Sequence, residues 1–113
     1  MKVRLGFVSN SSTTSFFIIG VDSEAIVDKL LQACGHDKEW YQQSKSFGVA
    51  EADDLMFYGD YDKPYWAGLD ADTLPADKTL PQAREWFIKH IQNKLNVTLS
   101  QGDVGLRYGE AHG

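Results

Sequence analysis

The sequence has a single cysteine and no long apolar stretch. Cys34 has no partner for an internal disulfide, and its place within an apolar helical pattern favours a buried thiol over a reactive one. No segment approaches the roughly 20 apolar residues that a membrane-spanning helix needs. Only short apolar pieces follow Lys2 and Arg4, so no secretory signal is recognised. These absences predict a protein of the reducing cytoplasm that does not enter a membrane.

Positive charge is also scarce. The chain has 11 Lys and Arg residues against 16 Asp and Glu residues, and its formal net charge is -5 at pH 7. Because non-specific binding of nucleic acid requires clustered Lys and Arg, and no basic run exists, we expect no direct nucleic-acid partner. The length of 113 residues and the hydrophobic content of 42% predict a single domain, residues 1–113, with a modest core.

Two amphipathic helices are predicted from apolar spacing and capping residues. The first follows Asp22 or Ser23, either of which can cap a helix, and Gly35 is suited to its end. The second begins after Thr79, and Gln82, three residues later, completes a capping box. Apolar residues recur three and four positions apart in both segments, which gives each helix one face for the core.

Strands are predicted where aromatic and β-branched residues cluster. A short strand at 2–8 and a buried strand at 16–21 flank a polar run. Two further strands, at 55–59 and 65–70, are joined by turn residues and form a predicted hairpin. A last strand is predicted at 103–108, with two short strands in this region as the alternative.

The segment between the first helix and the hairpin is polar. We interpret residues 36–53 as a connection with one short helical turn near 38–43. The predicted order is then strand, helix, strand, strand, helix, strand, with the strand at 2–8 in front. This order favours an α+β fold, a ferredoxin-like βαββαβ sandwich with an extra N-terminal strand. Residues 20–24 (GVDSE) and 68–72 (GLDAD) resemble each other, as two equivalent halves would.

Six small polar residues occupy the run between the first two predicted strands: Asn10, Ser11, Ser12, Thr13, Thr14 and Ser15. Asn tolerates left-handed backbone, and Ser and Thr hydroxyls bond to nearby backbone groups, so a hairpin loop is the simplest interpretation. An anion-binding loop is a second interpretation, although the Gly and Lys pattern of a P-loop is missing. A loop for modification or recognition is a third, because clustered hydroxyls suit phosphorylation.

The opening also resembles a known group of proteins. Residues 6–10 (GFVSN), followed by Ser11, Ser12, Ser15 and Phe16, are similar to the N-terminal G-F-V-S-N-S-S-S-S-S-F-type opening of small uncharacterised bacteriophage and bacterial proteins. Thr13 and Thr14 depart from the serine run but keep the hydroxyls. The segment 68–85 also resembles members of this group. The resemblance implies a phage or prophage origin and a cytoplasmic, host-facing role, and it brings no activity or catalytic residue.

The titratable residues do not form a recognisable catalytic or metal motif. We expect His36 and His90 to be surface or boundary residues and His112 to lie in a tail. The stretch 51–77 is strongly acidic, but it lacks the spacing of a calcium loop. We therefore assign no catalytic residue, no metal and no cofactor, and an enzyme is the less favoured class.

Aromatic and acidic residues alternate in the predicted hairpin. The members that we expect at a partner-binding surface, here called the acidic–aromatic surface, are Asp60, Tyr61, Asp62, Tyr65, Trp66, Asp70 and Asp72. Such a composition is suited to anchoring in a basic or nucleic-acid-binding groove of another protein.

The predicted function is a small, phage-type, cytoplasmic protein-binding module whose partner is a host protein. It would inhibit a defence or nucleic-acid enzyme. One alternative is a small nucleotide- or metal-binding enzyme that uses the Ser/Thr loop and a nearby His. Another is a self-assembling virion or structural component, a homo-oligomer paired through an exposed strand edge or aromatic patch.

Overall fold

The computed structural model describes residues 13–60, 62–74 and 76–112, without the side chain of Thr13. The predicted strand at 2–8, the polar residues Asn10, Ser11 and Ser12, and Tyr61 of the acidic–aromatic surface lie outside these ranges.

The described chain forms five strands and three helices. In chain order they are β1 (Thr13–Val21), α1 (Glu24–Ala33), α2 (Lys38–Ser44), β2 (Val49–Ala52), β3 (Leu55–Gly59), β4 (Pro64–Asp70), α3 (Leu80–Leu95) and β5 (Gly105–His112). Short 3-10 turns lie at Ala71–Thr73 and Gln101–Asp103. None of the described helices is both long and apolar enough to cross a membrane.

The strands form one antiparallel sheet in the order β2-β3-β4-β1-β5. The predicted α+β class is therefore confirmed. The predicted ferredoxin-like order is not confirmed, because the observed sheet has five strands and β2 is one of them. Among the described residues, the added strand is β2 at one edge, and the predicted extra N-terminal strand falls on residues outside the described ranges.

β2 lies in a segment that we interpreted as a connection. It pairs with β3, and the turn between them is formed by Asp53 and Asp54, whose φ angles are 51° and 67°. Two successive positive φ angles match the sharp turn that best joins two twisted strands. Sequence patterns associate this turn with Asn-Gly or Asp-Gly, so the Asp-Asp pair gave no signal for a hairpin.

The predicted helix ends are largely confirmed. Thr79 and Gln82 form the expected capping box, in which the Gln82 side chain accepts a hydrogen bond from the Thr79 N–H at 2.9 Å. Ser23 occupies the cap position of α1, but its side chain makes no capping hydrogen bond. The short helical turn predicted near 38–43 is a complete helix, because Asp37 accepts a hydrogen bond from the N–H of Trp40 at 2.9 Å.

The last strand is longer than predicted. β5 runs from Gly105 to His112 and pairs with nearly the whole of β1, so that Thr13 lies opposite His112. His112 is therefore part of the sheet and not of a tail. Thr13, Thr14 and Ser15, which we interpreted as loop residues, belong to β1 for the same reason: long-range pairing with β5 extends both strands.

The helices pack on one face of the sheet. The main core includes Val27 and Leu30 from α1, Tyr41 from α2, and Phe87 and Ile91 from α3. These side chains cover the alternate positions of the strands, such as Ile19, Val21, Phe57 and Leu69.

The opposite face of the sheet carries a second, smaller core. Phe16, Ile18, Tyr58 and Ala111 are its buried members, and Trp66 packs against them. The loop before β2 closes one side of this core, since the Thr14 hydroxyl donates to the Phe47 carbonyl at 2.8 Å. A Cβ on the neighbouring Gly48 would lie 2.6 Å from the His112 nitrogen. The sheet is thus curled, with apolar side chains inside the curl.

Candidate functional site: a cleft between β1 and β4

The acidic–aromatic surface predicted from the sequence is not one surface. Asp60 and Asp62 lie in the turn between β3 and β4, whereas Asp70 and Asp72 lie beyond the other end of β4. A strand of seven residues separates the two pairs by about 20 Å. If a partner binds through one contact area, that area therefore lies at one end of β4 and includes only one of the two aspartate pairs.

The two aromatic residues of this surface point to opposite faces of the sheet. Trp66 packs into the second core, where its ring centroid lies 5.0 Å from that of Phe16. Tyr65 is the preceding residue along the strand and lies on the helix face, with the Lys63 ammonium 5.6 Å from its ring centroid. Both are partly buried, so their main role is packing.

The end of β4 that carries Asp60 and Asp62 is tied to the helices. The hydroxyl of Tyr41 lies 3.1 Å from the carbonyl of Asp60, and the side-chain amide of Gln42 donates to the carbonyl of Asp62 at 2.8 Å. Next to this turn, Lys63 forms an ion pair with Glu24 at the start of α1. These contacts indicate that this end has a structural role.

A cleft opens at the other end of β4. β4 pairs with β1 only from Ile18 to Val21, and no described strand continues this pairing along the earlier part of β1. A cavity of about 460 Å³ lies beside this part of β1. We call it the β1–β4 cleft, and it is lined by Ser15, Phe16, Phe17, Tyr58, Asp70 and Asp72.

The cleft joins residues from two of the predicted sites. Ser15 comes from the polar run, and Asp70 and Asp72 come from the acidic–aromatic surface. Thr14, the neighbour of Ser15, uses its hydroxyl to bind the Phe47 carbonyl and so supports the fold.

The backbone after β4 fixes the two carboxylates. Asp70 accepts a hydrogen bond from the N–H of Asp72 at 3.0 Å, and the carbonyl of Asp70 accepts one from the Thr73 hydroxyl at 2.6 Å. Both aspartates are exposed, and within the described ranges neither forms an ion pair with a Lys or Arg. No cation in the described part of the chain therefore competes with a ligand for their negative charge.

Tyr58 forms the wall of the cleft next to Asp70. The residue is only 6% exposed and its ring stacks on Phe16 with a centroid distance of 4.5 Å. Burial raises the pKa of Tyr58 to about 12, and the carboxylates of Asp70 and Glu51 contribute to the shift in the same direction. The hydroxyl stays protonated at neutral pH, and it has no hydrogen-bond partner among the described residues.

Phe16, Phe17 and Tyr58 are the cleft residues that sequence reasoning did not assign to a site. The apolar run 16–21 predicts a buried strand, and Phe16 is indeed buried. Phe17 is 51% exposed and lies on the part of β1 that β4 does not reach. The sequence has no signal for this, since it depends on where β4 ends.

Other candidate residues do not form a reactive site in the part of the chain that the structure describes. Among the described residues, no group of three His, Cys, Asp or Glu side chains is close enough to hold a metal ion. His36 stacks on Trp40, and His90 stacks on Trp86. Burial raises the pKa of Cys34 to about 11, and Asp53 adds to this shift, so the thiol is a poor nucleophile at neutral pH.

Comparison with known proteins gives no relative for this chain. No family model matches it, and no match is found among curated proteins or among solved structures.

Proposed function

We propose that this protein is a small, phage-type, cytoplasmic module that binds a host protein through the β1–β4 cleft. The observation that carries the proposal is the pairing of two exposed carboxylates, Asp70 and Asp72, with the exposed ring of Phe17 in one cleft. Aromatic side chains supply apolar contact area, and fixed carboxylates select a basic partner surface.

The charge of the whole chain supports the same kind of partner. A net charge of -5 attracts a basic protein surface and repels nucleic acid. Enzymes that act on nucleic acids carry clustered Lys and Arg in their binding grooves, because they neutralise phosphates. An acidic module that occupies such a groove inhibits the enzyme by exclusion. We therefore propose a host defence or nucleic-acid enzyme as the target.

The test compares two double variants with the same change in charge. Asp70→Asn with Asp72→Asn alters the cleft, and the new amide at position 70 keeps an oxygen that can accept from the N–H of residue 72. Asp60→Asn with Asp62→Asn alters the other end of β4. Immobilised wild-type protein captures a partner from bacterial lysate, and the purified partner is then titrated against each variant by calorimetry.

We expect the affinity to fall by about tenfold or more for the cleft variant and by about twofold or less for the control variant. Because the contact is between opposite charges, the wild-type affinity also falls as salt rises. Equal losses in the two variants would show that only overall charge matters, and the cleft would then have no special role.

Self-assembly is a second candidate function, which an exposed apolar patch favours. Phe17, Leu106 and Tyr108 are exposed side chains on neighbouring positions of β1 and β5, and Tyr108 is 80% exposed. Apolar residues beside a long strand at the edge of a sheet favour pairing with a second copy. Sedimentation of the wild type and of Tyr108→Ser across a range of concentrations tests this. A monomer at all concentrations would exclude it.

We also propose that the sheet is a ferredoxin-like arrangement to which β2 adds an edge strand. Without β2, the order of the remaining strands is β3-β4-β1-β5. The two similar segments, 20–24 and 68–72, begin at Gly20 and Gly68, and these glycines lie directly opposite each other on the central strands. Two equivalent halves related by a twofold axis between β1 and β4 would produce this pairing.

A further inference from the structure

We propose that the β1–β4 cleft binds the guanidinium group of an arginine side chain presented by the partner protein. This inference rests on the proposed function and adds the chemical group of the partner that the cleft binds. Three features of the cleft carry it: the two carboxylates, the aromatic walls and the hydroxyl of the buried Tyr58.

The two carboxylates supply the charge. Asp70 and Asp72 stand on a backbone turn that hydrogen bonds hold in place, and no described cation neutralises them. A guanidinium group has five N–H donors in a planar fork, so it can bond to two neighbouring carboxylates at once. An ammonium group is a compact and strongly hydrated charge that gains less from such a pair.

The aromatic walls supply surfaces for a flat cation. Phe16 and Tyr58 stack on each other on one face of the sheet, and Phe17, the next residue of β1, points to the other face and lines the cleft with an exposed side chain. A guanidinium group can stack on an aromatic face while its edge bonds to carboxylates, which is the combination that these walls and the two aspartates offer.

The hydroxyl of Tyr58 supplies a third polar group for the ligand. The residue is only 6% exposed, it lines the cleft, and its hydroxyl has no partner among the described residues. The hydroxyl oxygen is not among the fully buried polar atoms that lack a partner, so it opens to the cleft, where a ligand N–H can donate to it. The volume of about 460 Å³ leaves room for an arginine side chain and part of its backbone.

The experiment uses four blocked tripeptides, acetyl-Gly-X-Gly-amide, in which X is arginine, citrulline, lysine or norleucine. Citrulline has nearly the shape of arginine without the charge, and norleucine has the lysine stem without the ammonium group. Binding to the full chain is followed by two-dimensional amide NMR. The variants are the cleft pair Asp70→Asn with Asp72→Asn, the control pair Asp60→Asn with Asp62→Asn, and Tyr58→Phe.

We expect the arginine tripeptide to shift the amides of residues 15–17, 58 and 70–72. Citrulline and norleucine should bind about tenfold more weakly or not at all, and lysine should fall between them and arginine. The cleft pair should abolish the shifts, the control pair should preserve them, and Tyr58→Phe should weaken binding severalfold. NMR spectra of the free variants show whether each one is folded.

Three results would overturn the inference. Equal binding of arginine and citrulline would show that charge is not recognised. Equal binding of arginine and lysine would show that the cleft does not select a guanidinium group. Chemical-shift changes that survive in the cleft pair would place the peptide elsewhere.

The same experiments separate this inference from the proposed function. If no tripeptide binds while the captured partner still requires Asp70 and Asp72, the arginine inference is wrong and the proposed function stands. If the partner is also insensitive to these residues, both are wrong.

Discussion

Two buried tyrosines in this protein illustrate how one side-chain type serves two purposes. Tyr41 of α2 lies in the main core, and its hydroxyl is 2.9 Å from the Gly48 carbonyl and 3.1 Å from the Asp60 carbonyl. It therefore links the helix to the loop before β2 and to the turn after β3. Tyr58 is also buried, but it lines the β1–β4 cleft and its hydroxyl has no bond to a described residue.

This difference predicts unequal effects of the same change. Tyr41→Phe removes a buried hydroxyl whose single proton is donated to one of two nearby carbonyls, and we expect the free energy of unfolding to fall by about 1–3 kcal/mol. Tyr58→Phe removes a hydroxyl without a described partner, so the change should stay within about 0.5 kcal/mol. Urea unfolding of both variants measures this. A larger loss for Tyr58→Phe than for Tyr41→Phe would contradict the two roles.

At the scale of the element, the sequence predicted those helices and strands that local rules specify. α1 and α3 follow from apolar spacing and from caps such as Thr79, and β3 and β4 follow from turn residues between two β-forming runs. β2 was not predicted, because nothing in the residue types of Asp53 and Asp54 indicates that both adopt positive φ angles. The extension of β5 to His112 depends on pairing with β1, which is a long-range effect.

The 3-10 turn before β5 has a charged cap whose effect depends on pH. The side chain of Asp103 accepts hydrogen bonds from the N–H of Ser100 at 3.0 Å and from its hydroxyl at 2.9 Å. These two bonds, with a smaller effect of Lys29, lower the pKa of Asp103 below its ordinary value of 3.8. The folded state therefore favours the carboxylate more than the unfolded state does.

We expect Asp103→Asn to be less stable than the wild type at neutral pH, by about 1 kcal/mol or less for a cap of this kind. The wild-type advantage is fully present above the unfolded pKa of the carboxyl group and disappears as the pH falls through the lower folded pKa. Thermal unfolding of both proteins from neutral pH down to about pH 2 checks this. A difference that stays constant over that range would show that the charge of Asp103 has no role.

At the scale of the whole molecule, the sheet is the element that both cores share. Its central strands, β1 and β4, approach closely where Gly20 lies opposite Gly68. A Cβ on Gly68 would lie 2.3 Å from the carbonyl oxygen of Ile19 and 2.9 Å from the Cα of Gly20. Both atoms belong to the backbone, so neither can move without disturbing the sheet.

Gly68→Ala should therefore lower the free energy of unfolding by about 3 kcal/mol or prevent folding. Gly102→Ala is the matched control, since a Cβ there would meet nothing within 4 Å, and its effect should stay within about 0.5 kcal/mol. Circular dichroism and urea unfolding measure both variants. A stable Gly68→Ala protein would show that β1 and β4 are farther apart than described here.

The candidate site shows the same division between local and long-range information. The composition of residues 54–72 marked Asp70 and Asp72 as members of a binding surface, and both line the cleft. The sequence did not reveal that Asp60 and Asp62 lie about 20 Å away or that Tyr65 and Trp66 face opposite sides. Among the described residues, the cleft lies where β1 continues beyond its pairing with β4, and that position depends on long-range pairing.

The most direct test of the central claim is to map the contact surface of the captured partner on this protein. Amide NMR of the isotope-labelled chain, with and without the purified partner, identifies the residues that change. We predict that the largest shifts fall at residues 15–17, at Tyr58 and at 70–73, around the β1–β4 cleft. Shifts centred on the turn at Asp60 and Asp62, or on Leu106 and Tyr108, would contradict the assignment of the cleft as the binding site.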